Sequence, residues 1–486
     1  MLFNSPEFLI FLPVVFLVYW KLLGRNLKLQ NLFVVAVSYV FYGWWDWRFL
    51  FLIAFTTLCS FLNALAIKRN KDRGNRHVAK MFSAGNVIIN LAVLGVFKYY
   101  DFFAQSLQEG LSAFGCNLDF ATLNIVLPVG ISFYTFQALS YTIDVYRGDL
   151  QPTRDPVAFF AFVSFFPQLV AGPIERAGNL LPQFGRPRSF DYSVAVDGLR
   201  QMLWGFFKKI VIADNCAYYA NIAFDHHDEV GSVSLLLGAI FFTFQIYGDF
   251  SGYSSIAIGC AKLFGIRLQA NFRVAYFSRD ISEFWKRWHI SLNKWFVDYV
   301  YIPLGGSRVA RWKVVRNTFV IFLLSGLWHG ANWTYVGWGL YHACLFIPLI
   351  LLGKNHRWKD GFRQDRMLPS GAELCHMLLT FVLVVVGWIV FRATSMTQAV
   401  EYIGRLFSFV GETDVNISFE KTITLDIMIV LMLVVEWWNR NEVHEFHRVI
   451  PNYWFRTAAY VVLIVAVYLS YVMSIEAENT FIYFQF

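Results

Sequence analysis

The sequence predicts an all-α, polytopic integral membrane protein, and three observations predict it. Hydrophobic residues fill 57% of the 486 positions and charged residues only 15%. A soluble globular chain carries roughly 25% charged residues, so this one lacks the polar surface needed to face water all round. Apolar runs of membrane length recur from one end to the other. Aromatic residues reach 19%, which suits lipid-facing surfaces and interfacial belts, where ring bodies are apolar and Trp or Tyr edges bond to water. About eleven transmembrane helices are expected, with re-entrant or interfacial helices among them. They form a single polytopic domain over residues 1–486.

The net charge of +8 is no nucleic-acid signal, because the basic residues sit in short clusters between apolar runs, as cytoplasmic loops do. The six cysteines are scattered without CxxC spacing and read as packing residues. The first apolar run, 6–20, has no basic residue before it and is followed by Lys21, Arg25 and Lys28. That order argues against a cleaved signal peptide and for an uncleaved helix with its N-terminus outside. Runs at 31–45 and 48–67 end at a second basic loop, Lys68 to Arg73 with Arg76 and Lys80, so parity agrees.

Further spans are expected near 82–104, 124–145, 156–172, 204–224, 234–264, 317–352, 377–393, 423–438 and 456–475, each from the need for roughly 20 apolar residues per crossing. Two of these, 234–264 and 317–352, exceed one crossing and are expected to fold as hairpins; for 317–352 a single long tilted helix is the alternative. Between 150 and 310 the residues Pro167, Gly172, Pro173, Glu175 and Arg176 interrupt apolar sequence. Irregular backbone at membrane depth survives only when buried in protein or lining a wet cavity. No internal repeat of the transporter kind is visible.

Polar residues in apolar context carry the chemistry. In 242–256, Gln245, Asp249 and Tyr253 recur at helical spacing and form one stripe, while Gly248 and Gly252 make a close-approach pair. The carboxylate of Asp249 must point into the protein, either as a helix-holding hydrogen-bond group or toward a substrate cavity. In 279–306, a continuous amphipathic helix would put Glu283, Arg287, Lys294 and Asp298 on one face and Trp285, Trp288, Leu292, Trp295 and Phe296 opposite. His289 falls at the edge of the aromatic face, where a packing histidine and a catalytic one are both open readings. In 315–342, His329 lies 13 residues past Arg316, roughly 20 Å along a helix and well inside a core about 30 Å thick. Burial favours its neutral form, which can accept a proton as a general base. Gly330 and Ala331 are expected to leave room beside it for backbone or substrate.

These residues resemble the membrane-bound O-acyltransferase superfamily, and within it the bacterial alginate O-acetyltransferase branch. The resemblance rests on Gln245-Ile-Tyr-Gly-Asp-Phe-Ser-Gly-Tyr253, Ser282-Glu-Phe-Trp-Lys-Arg-Trp-His-Ile-Ser-Leu292, Tyr299-Val-Tyr-Ile-Pro-Leu-Gly-Gly306, and Leu327-Trp-His-Gly-Ala331 followed by Trp338-Gly-Leu-Tyr-His342. Ala171-Gly-Pro-Ile-Glu-Arg176, the opening Leu2-Phe-Asn-Ser and the ending Phe481-Ile-Tyr-Phe-Gln-Phe486 extend it nearly end to end.

The resemblance implies a ring of tilted helices around a central tunnel, with a catalytic core at about 125–352. His329 matches the family's signature histidine and His289 the second one. Gln245, Tyr247, Asp249, Ser251, Tyr253, Glu283, Trp285, Arg287, Trp288 and Asn332 are candidates for lining the tunnel or positioning substrate. The branch moves acetyl groups from a cytoplasmic donor, acetyl-CoA, toward an exopolysaccharide or cell-wall glycan across the bacterial inner membrane. No bound cofactor and no metal is expected. In the implied mechanism His329 takes the proton of an attacking hydroxyl, and His289 orients a reactant or donates to the oxyanion. A separate periplasmic or extracellular partner, of the esterase-like SGNH type, completes the transfer. The loops at 105–122, 353–376 and 408–422 are too short to hold a Ser-His-Asp domain, which agrees with such a partner. The alternatives are D-alanyl transfer to teichoic acid, O-acetylation of peptidoglycan or cellulose, and, remotely, a transporter.

Overall fold

The computed structural model describes residues 1–116, 118–170, 172–355, 357–358, 361–362, 367–411, 416–447 and 450–473. Ala171 of the 171–176 motif, Lys359, Arg363 and Arg366 of the 353–376 loop, and the closing motif 481–486 lie outside them. Among the described residues the secondary structure is helical throughout, with no strand. The chain forms two compact units, Met1–Ala195 with Ala261–Gln269, and Val196–Cys260 with Ala270–Phe486.

In the first unit, Pro6 at the first turn opens α1 (Pro6–Leu17), which runs into a π-helical turn ending at Leu22. The Asn26 side chain caps α2 (Leu27–Gly43) at Leu29 N–H. Next come α3 (Phe49–Asp72), α4 (Arg76–Leu94) and α5 (Tyr100–Ala113); α4 and α5 continue each other through a π-helical turn. The span expected from 124 starts later. Gly130 sits at φ +74°, and α6 (Ile131–Arg147) begins after it, because a left-handed residue cannot belong to the helix. Ser60, Asn86 and Thr142 join α3, α4 and α6 through side-chain hydrogen bonds of 3.1 and 2.8 Å, the polar glue that apolar helix faces need in lipid. The 156–172 span is broken into α7 (Pro156–Ser164) and α8 (Phe166–Leu169), as expected of a segment interrupted by Pro167, which cannot continue a helical ladder. The last helix of this unit is α9 (Ala177–Phe184).

In the second unit, α10 (Tyr192–Phe206), which belongs to it from Val196 onward, passes through a π-helical stretch, Phe207–Ala213, into α11 (Asp214–Asp225). The expectation of a hairpin at 234–264 is overturned: α12 (Ser232–Leu263) is one helix of 32 residues, about 48 Å long. Its glycines serve contact, not turning. A Cβ on Gly248 would lie 2.7 Å from the Lys208 carbonyl oxygen, and one on Gly252 2.8 Å from that of Gly205, so backbones touch where the sequence placed a close-approach pair. The continuous helix expected over 279–306 is also corrected. It is two short helices, α13 (Ile281–Arg287) and α14 (Ile290–Phe296). By contrast, 317–352 is the expected hairpin, α15 (Arg311–His329) and α16 (Trp333–Leu351). The remaining helices are α17 (Gly371–Arg392), α18 (Met396–Phe407), α19 (Phe419–Trp438) and α20 (Tyr453–Met473).

Among the described residues six helical stretches are long and apolar enough to cross a bilayer; the other expected spans are short, broken or carry charges. Their outer faces stay apolar. On α20, Val461, Val462, Ile464 and Tyr468 are all more than half exposed, which water would oppose and lipid permits.

The π-helical stretch turns two adjacent lysines inward. Lys209 Nζ reaches Asp214 at 2.7 Å and Asp249 at 2.8 Å, and Lys208 Nζ lies 3.8 Å from Glu436 and 3.6 Å from Glu445. Removing one partner of a buried pair costs roughly 3–5 kcal/mol, because a charge is left uncompensated. Lys209→Met is therefore expected to lower the thermal unfolding temperature in detergent markedly, and Lys209→Met with Asp214→Asn and Asp249→Asn to recover part of the loss.

Candidate active site

The break between α13 and α14 is where the site is built. Asp280 caps α13 by accepting from Glu283 N–H at 2.7 Å, and Glu283 is gripped by Arg279 at 2.8 Å and Arg287 at 2.8 Å. Burial alone would raise the Glu283 carboxyl. The Arg279 hydrogen bonds and the Arg287 charge outweigh burial and hold it below the usual carboxylate range. Arg279 also reaches Glu373 on α17 at 3.2 Å, and Arg287 lies over the Phe362 ring at 4.0 Å. These charges therefore fasten α13 in place.

After Trp288 the chain turns left-handed: His289 has φ +44° and ψ +54°, an uncommon conformation for a residue with a side chain and one that clusters at functional sites. The turn is held by backbone bonds on both sides, from Arg273 N–H to Arg287 O at 3.0 Å and from Ile290 N–H to Asn271 O at 2.8 Å. It carries the imidazole into the protein, where it is 1% exposed. His289 Nδ1 lies 3.1 Å from Asn271 Oδ1. That Asn271 atom must be the oxygen, since it also accepts from the Ser291 backbone N–H at 3.3 Å and hydroxyl at 2.8 Å, while Asn271 Nδ2 donates to Ser254. The ring therefore donates from Nδ1 and carries its lone pair on Nε2. Burial pushes its pKa down to about 3, so the ring is neutral at physiological pH.

His329 is the last residue of α15 and is equally buried. Its ring centroid lies 6.4 Å from that of His289. Trp328, Trp338 and Phe391 surround it at 5.1, 5.2 and 5.4 Å. The room expected beside Gly330 is taken: a Cβ there would lie 2.1 Å from Tyr335 Cε2, so the glycine admits a ring of its own chain rather than a substrate. A cavity of about 400 Å³ lies nearby. It reaches the surface at the exposed Lys286 and Lys294 and is walled inward by Trp285, Phe322 and Ser325. Thr318, Phe322 and Ser325 share the α15 face that ends at His329.

Of the residues singled out in the sequence, His289, His329, Trp285 and Trp288 come together; Trp288 packs on Trp388 at 4.9 Å, which packs on Trp338 and Phe391. Glu283 and Arg287 fix α13. The α12 stripe stands behind His289, touching it through Phe250 at 4.6 Å. Asp249 is bound to Lys209, Tyr253 faces the same ammonium, and Tyr247 donates to Glu436 at 2.7 Å. Gln245 is half-buried and Ser251 buried on the same helix. Asn332 is a cap: it accepts from Thr334 N–H at 3.0 Å and donates to Thr394 O. Sequence reasoning missed Asn271, Lys208, Lys209, Glu436 and His342. Only His342 left a trace, as the end of the Trp338–His342 motif.

Residues 153–385 match the family model described as MBOAT, membrane-bound O-acyltransferase family. The probable alginate O-acetylase AlgI of Pseudomonas aeruginosa is 41% identical over 410 residues, 84% of this chain and 75% of that protein. The chain belongs to the membrane-bound O-acyltransferase family. It is an acyltransferase and a multi-span membrane protein. The probable alginate O-acetylase AlgI of Azotobacter vinelandii is 38% identical over 438 residues, 90% of this chain and 84% of that protein. The peptidoglycan O-acetyltransferase of Helicobacter pylori is 31% identical across 100% of this chain and 98% of its own length. In this acyltransferase Asn271→Ala would release the His289 tautomer. Misplacing a group that orients a reactant costs up to roughly a hundredfold, so turnover is expected to fall at least about tenfold with donor KM little changed, measured as steady-state acyl transfer in membranes.

Proposed function

We propose that this protein passes an acetyl group from a cytoplasmic thioester, acetyl-CoA, to a hydroxyl, for O-acetylation of a polysaccharide outside the bacterial inner membrane, alginate being the leading acceptor. The observation that carries the reading is the pair of buried imidazoles 6.4 Å apart, beside a cavity with lysines at its mouth. Neutral imidazoles accept protons, and two at this spacing engage two atoms of one reacting centre. Lysines at the mouth suit a phosphate-bearing donor. The names of the alginate O-acetylase relatives support acetyl as the group and a polysaccharide as the acceptor.

In this mechanism His329 removes the hydroxyl proton as oxygen attacks the thioester carbonyl, and returns it to the departing thiolate. The tautomer of His289 decides its part. With Nδ1–H committed to Asn271, Nε2 accepts rather than donates, so it orients a reactant through an N–H or O–H other than the one His329 deprotonates, and leaves oxyanion stabilisation to another group. Trp285, Trp288 and the rings around His329 exclude water that would hydrolyse the thioester. The N-terminus lies outside, and a separate esterase-like SGNH protein takes the acetyl group onward to the glycan; the short loops of this chain support that division of labour.

His329→Ala is expected to lower acetyl transfer in membrane vesicles supplied with labelled acetyl-CoA by about a thousandfold or more, with unchanged expression and thermal stability in detergent. Acetylation at the wild-type rate by that variant would exclude His329 as the base.

A further inference from the structure

A third imidazole, His342, is unused by the mechanism. It lies on α16 and is fully buried, with neither ring nitrogen hydrogen-bonded to any group. Its neighbours are rings: Trp285 at 5.0 Å, Trp338 at 5.1 Å, Tyr341 at 5.4 Å and Phe322 at 6.3 Å. The indole N–H groups of Trp285 and Trp338 also have no acceptor. Buried polar groups in folded proteins are nearly always paired, so three together mark a place where something polar belongs.

Position says what passes there. Trp338, His342 and Phe346 recur every fourth residue along one face of α16. Phe346 lines the cavity, as do Trp285 and Phe322, which both touch His342. At the other end Trp338 touches His329 at 5.2 Å. His342 thus stands between the cavity and the base. Beside it α17 presents no side chain: a Cβ on Gly387 would lie 2.8 Å from His342 Nε2, so the imidazole packs directly against the backbone of that helix.

We propose that His342 binds the amide nearest the sulfur of the donor's carrier arm as the thioester passes from the cavity to His329. The proposal rests on the acyl-thioester reading above. A neutral imidazole offers one donor and one acceptor, and a secondary amide offers the complementary pair. In a pantetheine-type arm two methylenes separate the sulfur from the first amide nitrogen, which places that amide one aromatic ring away from a thioester held at His329. A carboxylate or phosphate would demand a cation here, and none of the neighbouring side chains supplies one.

The test compares two small acetyl donors with the full-length protein in membranes: S-acetyl-N-acetylcysteamine, which has the amide, and the S-acetyl ester of 2-mercaptoethanol, which lacks it. With His342→Phe, KM for the amide donor is expected to rise about tenfold, the magnitude of one lost buried hydrogen bond, while kcat and the amide-free donor are unchanged. His342→Gln, which keeps a donor and an acceptor, is expected to restore much of the difference. Should His342→Phe fail to reach the membrane, Gly387→Ala, whose Cβ displaces Nε2, is expected to show the same selective loss. Equal losses for both donors, or no change for either, would overturn the proposal. A wild-type protein that uses neither thioester would instead overturn the donor reading itself.

Discussion

The hydrogen bond between His289 Nδ1 and Asn271 is the interaction on which the site depends. It is buried and tied on its other side to Ser254 and Ser291, so neither the amide nor the ring can turn without orphaning a buried polar group. An orphaned group costs about 1–3 kcal/mol, comparable with the strain of holding a non-glycine residue left-handed. The network thereby offsets the backbone conformation that aims the imidazole. It also selects the tautomer, and with it whether His289 accepts or donates at the reacting centre.

The surroundings solve a second problem, how to keep many polar groups inside an apolar body. The Glu283 cluster pairs its charges with bidentate geometry, and so does the Lys209 triad in a simpler way. Buried pairs of this kind add little net stability, because desolvation consumes most of the Coulomb gain. What they do is choose one arrangement of helices, since every other arrangement strands a charge. The π-helical stretch at Phe207–Ala213 contributes by bringing two consecutive lysines inward, which regular helix geometry spreads about 100° apart. Around the histidines the protein follows the opposite rule. Aromatic rings give close packing and exclude water with few polar atoms of their own, so reactivity stays with the imidazoles.

Much of this was legible in the sequence because it is local or additive. Composition and the length of apolar runs determine that the chain lives in a membrane as helices, since transfer free energy sums residue by residue. An ionisable residue inside such a run marks chemistry by its cost alone, which is why His329 stood out, and the motifs around His289 and His329 carried the family. Helix continuity was less legible. The length of α12 read as a hairpin and Gly330 as open space, yet α12 runs unbroken and the place beside Gly330 is filled by Tyr335. A turn, a packing glycine and a gap look alike in one dimension.

What only the tertiary structure decided is partnership. Asp249 meets Lys209 across 40 residues, Tyr247 meets Glu436 across 189, and His289 meets Asn271 across a helix and a loop. No periodicity links such positions, because the distances that matter are set by which helix faces pack together. The sequence by itself determined the medium, the helical class and the two histidines, all of which follow from the identity of residues and their near neighbours. The folded chain determined which nitrogen holds the proton, which carboxylates are spoken for, and that His342 stands on the way to His329, because each of those follows from contacts between segments far apart along the backbone.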